Sequence, residues 1–278
     1  MKISIAVLTY NRKEKVIDAL RSAYSQVLPE DTSIEVVVVD NASVDFTFET
    51  VCSLFPDAKI IRTHKNLGCP GGRNILYANC TGDVIVNLDD DGQLECDVVA
   101  KTIAMFQHHP RAGVIAFKQV EVPGEDKNFE RTTCQSNFSG GLSAFRREVI
   151  EEVGPYPDDF FLCGEEENLA LRVINAGFEI IYAPNIRMIH NFNHESASPK
   201  FAFFHCRNTL LNVAEMFPAT YVLPYFIGRC LSNFRYAWRI KCISAWMRGT
   251  ISAIFLATHR ARAPVSIATV RFYLKNRS

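Results

Sequence analysis

At 278 residues, with 48% apolar and 22% charged side chains, the chain is long enough for one large domain or a domain with an extension, and its composition excludes a disordered chain. Thirty Lys and Arg balance thirty Asp and Glu, but unevenly: Glu215 is the last acid, and residues 216–278 hold ten basic side chains and no acidic one. Nine cysteines without a Cys-x-x-Cys pair or a Cys/His ligand spacing argue against a disulfide framework and a structural zinc site, and for reduced thiols in a cytosol. Met1 and Lys2 lead straight into a strand-like run, so no signal peptide is expected.

Residues Ile3–Leu8 read as a buried strand that stops at Thr9, Tyr10, Asn11 and Arg12. Val16, Ala19, Leu20, Ala23 and Val27 then recur at helical spacing before Pro29 closes the segment. Ile34–Val39 form a second strand ending in Asp40, Asn41 and, a little further on, Ser43 and Asp45; a helix with Phe48, Val51, Cys52 and Phe55 on one face follows. Lys59–Arg62 form a short third strand, and Asp83–Leu88 a fourth that runs into Asp89, Asp90, Asp91 and Gly92. Uninterrupted apolar strands alternating with helices indicate a parallel α/β sheet covered on both faces, in which ligands bind outside the carboxyl ends of the strands. Three polar clusters (Thr9–Arg12, Asp40–Asp45 and Asp89–Asp91) are therefore expected to converge on one crevice.

Alternation along an extended chain sends Asp89 and Asp91 to one side and Asp90 to the other. Unpaired buried carboxylates are prohibitively costly, so the three acids must face water or a cation. A sparse set of hard oxygen ligands suits Mg²⁺ or Mn²⁺ completed by substrate phosphates. Upstream, the run Asn66–Asn74, with Gly68, Gly71 and Gly72 before the helix start, opens a helix through Ile75, Tyr77 and Ala78, with Arg73 suited to a diphosphate. The same glycines also fit a tight turn, and their spacing matches neither a Walker A loop nor a dinucleotide turn.

Taken in order, Thr9-Tyr10-Asn11-Arg12, then Asp40-Asn41 with Ser43 and Asp45, then Asn66 with Gly68, Gly71, Gly72, Arg73 and Asn74, then Asp89-Asp90-Asp91 resemble the family 2 glycosyltransferases of the GT-A fold. The resemblance runs to about Pro218. It implies a Rossmann-like, mostly parallel α/β sheet flanked by helices, and an inverting enzyme using a nucleotide-activated sugar with Mn²⁺ or Mg²⁺. It places Asp40 on the base, Asp89 on the ribose and Asp91 on the metal, with Thr9, Asn11, Arg12, Asn41, Asn66, Gly72, Arg73 and Asp90 also on the donor side. The donor would be a UDP- or dTDP-sugar and the acceptor a glycan or lipid-linked glycan. Bacterial surface polysaccharide synthesis, with rhamnosyl- and galactofuranosyl-like relatives, is the expected setting.

The acceptor half is expected over 97–216, after a donor half over 1–96. Asp97–His108 read as a helix, Gly113–Phe117 as a strand, and Val122–Gln135 as a polar loop over the acceptor groove. Ser139–Arg147 resemble the family's small-residue segment beneath the acceptor, with a turn at Gly140 and Gly141 as the plainer alternative. Glu165, Glu166 and Glu167 fall at a helix N-terminus, where the macrodipole alone favours acids. In the family a Glu-Asp pair stands here and its second carboxylate is the catalytic base, which implies Glu166, with Glu165 as its neighbour. Asn168 replaces an acid common in the family. After the strand Ile180–Ala183, His190 matches a histidine that completes the family's metal site better than His194 does. Arg207-Asn208 resemble a recurrent pair of bacterial members.

From Tyr221 the character changes. Phe226, Cys230, Phe234, Ala237, Trp238 and Cys242 fall along one stripe, with Arg229, Asn233, Arg239 and Lys241 at its edge or off it. Residues 217–278 thus read as a basic amphipathic helical extension that lies on an anionic membrane surface or packs on the oppositely charged catalytic domain. The protein is expected to be cytoplasmic and peripheral at the inner face of the membrane. A nucleotidyltransferase and a non-catalytic sugar-nucleotide-binding or membrane scaffold protein are the alternatives; no nucleic-acid reading module is present.

Overall fold

The computed structural model describes residues 1–121, 130–190 and 198–276. The chain begins β1 (Lys2–Thr9), α1 (Lys13–Tyr24), β2 (Ser33–Asp40), α2 (Thr47–Leu54), β3 (Lys59–Arg62), α3 (Gly68–Asn79) and β4 (Val84–Asp89). It continues β5 (Gly92–Leu94), α4 (Val98–His108), β6 (Ala112–Val120), β7 (Thr133–Gln135), β8 (Leu142–Arg146), α5 (Arg147–Val153), α6 (Glu165–Asn175) and β9 (Glu179–His190). Four helices close it: α7 (Pro199–Met216), α8 (Ala219–Arg239), α9 (Ile243–His259) and α10 (Ile267–Lys275).

One sheet runs through the molecule in the order β3-β2-β1-β4-β8-β6-β9-β5, with β7 added alongside β9. The first four strands are parallel, as their apolar runs predict; β1, β2 and β4 carry buried residues on both faces, whereas β3, at the sheet edge, has none fully buried. Ile5, Val7, Val36, Val38 and Val86 pack into one core, while Ala6, Val37, Val39 and Ile85 pack into the other. Their register aligns the polar clusters: Thr9 lies beside Asp40, and Leu8 beside Asp89. The expected crevice at the carboxyl end therefore exists.

The second half departs from the expected pattern. β8 runs antiparallel to β4 and β6, whereas β6 and β9 are parallel. β9 spans twelve residues. Its register against β6 shifts between Phe117 and Lys118, at the Pro184 segment, where a proline cannot donate to the ladder. Ser139–Arg147 holds the turn expected at Gly140 and Gly141, closed by Leu142 N–H donating to Ser139 O at 3.1 Å, and then the strand β8, which was not expected. Of the expected 122–135 loop, residues 122–129 lie outside the described residues, and Thr133–Gln135 pair with β9. His194 also lies outside the described residues.

The terminal helices pack on the sheet domain. The Tyr273 hydroxyl donates to Glu167 Oε1 at 2.7 Å, and Arg229 Nη2 meets the same oxygen at 2.6 Å. Arg260 pairs with Asp159 and Glu215. The expected stripe on α8 needs one correction. Asn233 is buried, donating to Thr209 Oγ1 at 3.0 Å, whereas Trp238 is 63% exposed. The inward face thus holds an amide satisfied by a threonine, a pairing that apolar patterning alone does not reveal. Among the described residues no helix is long and apolar enough to cross a membrane.

Candidate active site

The three aspartates leave β4 with the alternation expected of them. Asp89 and Asp91 turn toward His190, whose Nε2 lies 3.8 Å from Asp89 Oδ2 and 2.9 Å from Asp91 Oδ1. The register explains the meeting: β5 pairs Gly92 with His190, so Asp91 comes alongside the histidine. Ligand atoms of Asp89, Asp91 and His190 all lie within 4.8 Å of one another. Two carboxylates and one imidazole form a donor set that fits Mn²⁺ or Mg²⁺, with Asp89 joining the two ligands expected from sequence.

Asp90 stands outside this group and is 6% exposed; Arg12 Nη1, which also meets Asp91, lies 2.9 Å from its Oδ1. Burial pushes its carboxyl up to about 6, with Arg12 opposing. Burial also raises Asp91, but the His190 hydrogen bond and the charges of Arg12, His190 and Lys15 outweigh it and leave the group below its ordinary value. The Asp91 hydrogen bond raises His190 in turn, against burial. Arg12 Nη1 reaches Asp91 Oδ2 at 2.6 Å and Lys15 Nζ reaches it at 3.7 Å. The mouth of the crevice thus combines two part-exposed cations with three acids, a setting for an anionic ligand and a metal together.

Several donor-side candidates are buried and tie the loops of the crevice together. Thr9 and Asp40 are buried; Asp40 Oδ1 accepts from Ser43 N–H at 3.1 Å and its Oδ2 faces Arg62 Nε at 3.4 Å. Asn11 Oδ1 accepts from Val44 N–H at 2.8 Å, tying the two loops together. Asn41 donates to Asn66 Oδ1 and to the Gly68 carbonyl, and accepts from Leu67 N–H at 2.9 Å. The glycines lie within α3, not before it, and a Cβ at Gly72 would collide with Leu8, so Gly72 lets the helix close on β1. Arg73, read as a diphosphate partner, is 3% exposed and holds Asp89 Oδ1 at 2.7 Å from Nη2 and Asn87 Oδ1 at 3.3 Å from Nη1. A guanidinium is weakly hydrated enough to be buried in this way beside a carboxylate.

Asp89 is fixed from a second side. One step beyond the Leu88–Leu142 pair it faces Gly141, where a Cβ would occupy the space of its carboxylate. Gly141→Ala is expected to cost about 1–3 kcal/mol of stability through overpacking and to weaken Mn²⁺ binding at least tenfold. Denaturant midpoints and calorimetric Mn²⁺ titration read the two effects; unchanged metal affinity would show that Asp89 is not a ligand.

Glu166 sits across Gly140 from this cluster. Its side chain is half-buried, its Oε1 accepts from Gly140 N–H at 3.3 Å, and a Cβ on Gly140 would lie 3.0 Å from it and 3.4 Å from Arg73 Nε. Glu165 is 2% exposed and its Oε2 has no hydrogen-bond partner. Burial raises both carboxyls; the Glu166 charge adds to the rise at Glu165, whereas Arg73 opposes it at Glu166. Of the two, Glu166 alone reaches the crevice. Glu167 is engaged by Arg229 and Tyr273, and Asn168 by Asn212 and Arg172.

The loop that aims Glu166 has left-handed backbone at Phe161 (φ 55°), Cys163 (φ 53°) and Gly164 (φ 85°). Two such non-glycine residues cost about 1–2 kcal/mol each. A clamp from α7 holds them: Asn208 Nδ2 lies 2.9, 3.0 and 2.7 Å from the carbonyl oxygens of Phe160, Leu162 and Cys163, and Asn212 Nδ2 donates to Gly164 O at 2.8 Å. Sequence reading noted Asn208 only as part of a recurrent pair; its partners lie some 45 positions away, which no local signal discloses. Asn208→Ala leaves buried carbonyls unmatched and is expected to destabilise by roughly 2–3 kcal/mol, and to lower kcat more than it raises KM. Unfolding and steady-state kinetics together test this; a wild-type kcat would remove the clamp from any positioning role.

Residues 4–133 match the family described as Glycosyl transferase family 2. The chain carries a family 2 glycosyltransferase domain. The poly(ribitol-phosphate) beta-N-acetylglucosaminyltransferase TarS of Staphylococcus aureus is 29% identical over 138 residues, 48% of this chain and 24% of TarS. The O-antigen chain rhamnosyltransferase RfbN of Salmonella typhimurium is 23% identical over 218 residues, covering 70% of this chain and 68% of RfbN. Among solved structures, a mannosyltransferase from Pyrobaculum calidifontis in complex with GDP-Man and Mn²⁺ superposes with a TM-score of 0.63 at 20% identity, covering 92% of this chain and 79% of that one. The fold is therefore GT-A. The chain spans about a quarter to about half the length of three of the curated relatives it matches.

Proposed function

We propose that this chain is an inverting glycosyltransferase that moves a sugar from a nucleoside-diphosphate donor to an acceptor hydroxyl. The observation that carries the reading is the meeting of the Asp89, Asp91 and His190 cluster with Glu166 across Gly140, at the carboxyl end of a GT-A sheet. Glu166 takes the proton of the acceptor hydroxyl as that oxygen attacks the anomeric carbon; the bond from that carbon to the diphosphate oxygen breaks on the opposite face, inverting the configuration. Arg12 and Lys15 meet the negative charge of the diphosphate as it departs. Asp89, Asp91 and His190 would hold a divalent cation, Mn²⁺ or Mg²⁺, which would supply Lewis-acid stabilisation there. Much of the acceleration comes from aligning donor and acceptor.

The donor we favour is a UDP- or dTDP-sugar and the acceptor a glycan or lipid-linked glycan of a bacterial surface polysaccharide, a reading supported by the names of TarS and RfbN and by a TarS structure holding UDP. Nine unpaired cysteines support a reducing, cytoplasmic compartment. The test is release of nucleoside diphosphate by purified protein from UDP-, dTDP- and GDP-sugars, with Mn²⁺, Mg²⁺ or EDTA. Metal-dependent release from one donor supports the reading. Release of pyrophosphate from sugar phosphate and nucleoside triphosphate would make the protein a nucleotidyltransferase, and donor binding with no turnover toward any offered acceptor would favour a scaffold.

A further inference from the structure

The α8–α9 hairpin turns an apolar face outward. On α8, Leu223, Ile227, Leu231 and Trp238 are 69%, 51%, 55% and 63% exposed. On α9, Met247, Ile251, Ile254 and Phe255 are each at least half exposed. Both sets recur at spacings of three and four, so each forms one stripe along its helix. Phe234, within the α8 stripe, meets Trp238 at 5.9 Å and Trp246 of α9 at 5.0 Å between ring centroids, joining the stripe to the neighbouring helix. An exposed face of this length on a folded protein marks an interaction site.

Its border selects the partner. At 100° per residue, Arg235 and Arg239 fall beside the α8 stripe and Arg248 beside the α9 stripe, with Lys241 at the turn between the helices. Among the described residues none of these four has a carboxylate at ion-pair distance, unlike Arg229 and Arg260, which pair with acids of the sheet domain. No acid follows Glu215. A two-fold contact between copies through this face would set cation against cation. Apolar stripes edged by unpaired cations are complementary to an anionic lipid surface, whose acyl boundary takes Leu, Ile, Phe and Trp while its headgroups take Arg and Lys.

We infer that the α8–α9 hairpin is a lipid-docking element that seats the protein on an anionic bilayer. The hairpin is fastened to the sheet domain: α9 crosses α7 so closely that a Cβ at Gly249 would lie 2.7 Å from Phe203 O, and Cys206 Sγ lies 3.3 Å from Thr250 Oγ1. Because α7 also clamps the loop before Glu166, docking fixes the crevice relative to the lipid surface. The inference does not depend on the transfer reaction.

The test is flotation of the full chain with vesicles of phosphatidylcholine alone and of phosphatidylcholine mixed with phosphatidylglycerol, without substrates. Binding is expected to the anionic vesicles only and to weaken as salt rises. Arg235→Gln with Arg239→Gln is expected to lower partitioning about 30-fold, and Trp238→Gln with Ile227→Gln to abolish it. All four positions border solvent, so unchanged circular dichroism would show that the fold survives. In a Trp246→Phe background, Trp238 fluorescence quenched by brominated acyl chains would place that indole in the bilayer. Equal affinity for neutral vesicles, no affinity for anionic ones, or a dimer abolished by Trp238→Gln would each overturn the inference. Nucleoside-diphosphate release is measured separately, so failure here and failure of the transferase reading are distinguishable.

Discussion

Glu166→Gln is expected to lower kcat by about 10²–10⁴-fold, the usual worth of a positioned general base, while donor affinity and fold are retained. The amide keeps the shape of the side chain and can still meet Gly140 N–H through its oxygen, so only the proton acceptor is lost. Glu165→Gln separates the two carboxyls: Glu165 is almost fully buried, so in the proposed mechanism it takes no proton from the acceptor, and its amide variant should keep near wild-type kcat. The pH dependence carries the same distinction. Burial raises the Glu166 carboxyl above its ordinary value, so wild-type kcat/KM should rise with pH through an acid limb displaced above the normal glutamate range, and that limb should vanish in Glu166→Gln. For stability the sign is opposite. A folded-state pKa above the unfolded one at Glu165 stabilises below the ordinary glutamate pKa, and that contribution is lost as pH rises through the raised value. Glu165→Gln should therefore flatten the fall in stability between the ordinary glutamate pKa and about 8. Full activity of Glu166→Gln, measured as nucleoside-diphosphate release, would remove the base from this position.

Much of the donor half was legible because two simple rules operate there. Apolar runs such as Ile3–Leu8 and Ile34–Val39 fix buried parallel strands, and the polar residues that end them then fall at one edge of the sheet. Strand alternation was enough to separate Asp90 from Asp89 and Asp91. What could not be read was partnership at a distance. Arg73 looks like a phosphate ligand when Asp89 is out of view, and its burial follows only once α3 is laid on β1 by Gly72. β8 escaped because Ser139–Ala144 is poor in the branched side chains that mark a strand, and it is small because Gly141 must leave room for Asp89. The same blindness hid Asn208: a buried amide on a helix gives no hint of three carbonyls belonging to another segment. In α8 the stripe from Phe226 to Cys242 spans two faces, with Ala237 buried and Trp238 exposed, while Asn233, placed at its edge or off it, is buried against Thr209.

Asp91→Ala is expected to lower turnover by about 10²–10³-fold or more, the scale of removing one preorganised electrostatic contact to a departing oxyanion, and to weaken Mn²⁺ binding severely. Asp91 is the junction of the site: Arg12, Lys15 and His190 all converge on it at 2.6, 3.7 and 2.9 Å. Removing its carboxylate takes away a proposed metal ligand and also leaves three basic groups facing one another without a shared counter-charge. The hydrogen bond to Asp91 is the main reason His190 binds its proton more tightly than an ordinary histidine, so in the alanine variant the His190 pKa should fall, a change that imidazole chemical shifts follow across pH. Asp90→Ala provides the contrast. Its carboxyl meets the Tyr10 amide and shares Arg12 Nη1 with Asp91 but stands outside the Asp89, Asp91 and His190 group, so its loss should disturb the Thr9–Arg12 loop but leave that donor set assembled. Calorimetric titration with Mn²⁺ distinguishes the two variants directly. Equal metal affinity in Asp91→Ala and wild type would mean that the Asp–Asp–His cluster is an ion-pair network and not a metal centre, and the transfer reaction would then have to stabilise its leaving group through Arg12 and Lys15 alone.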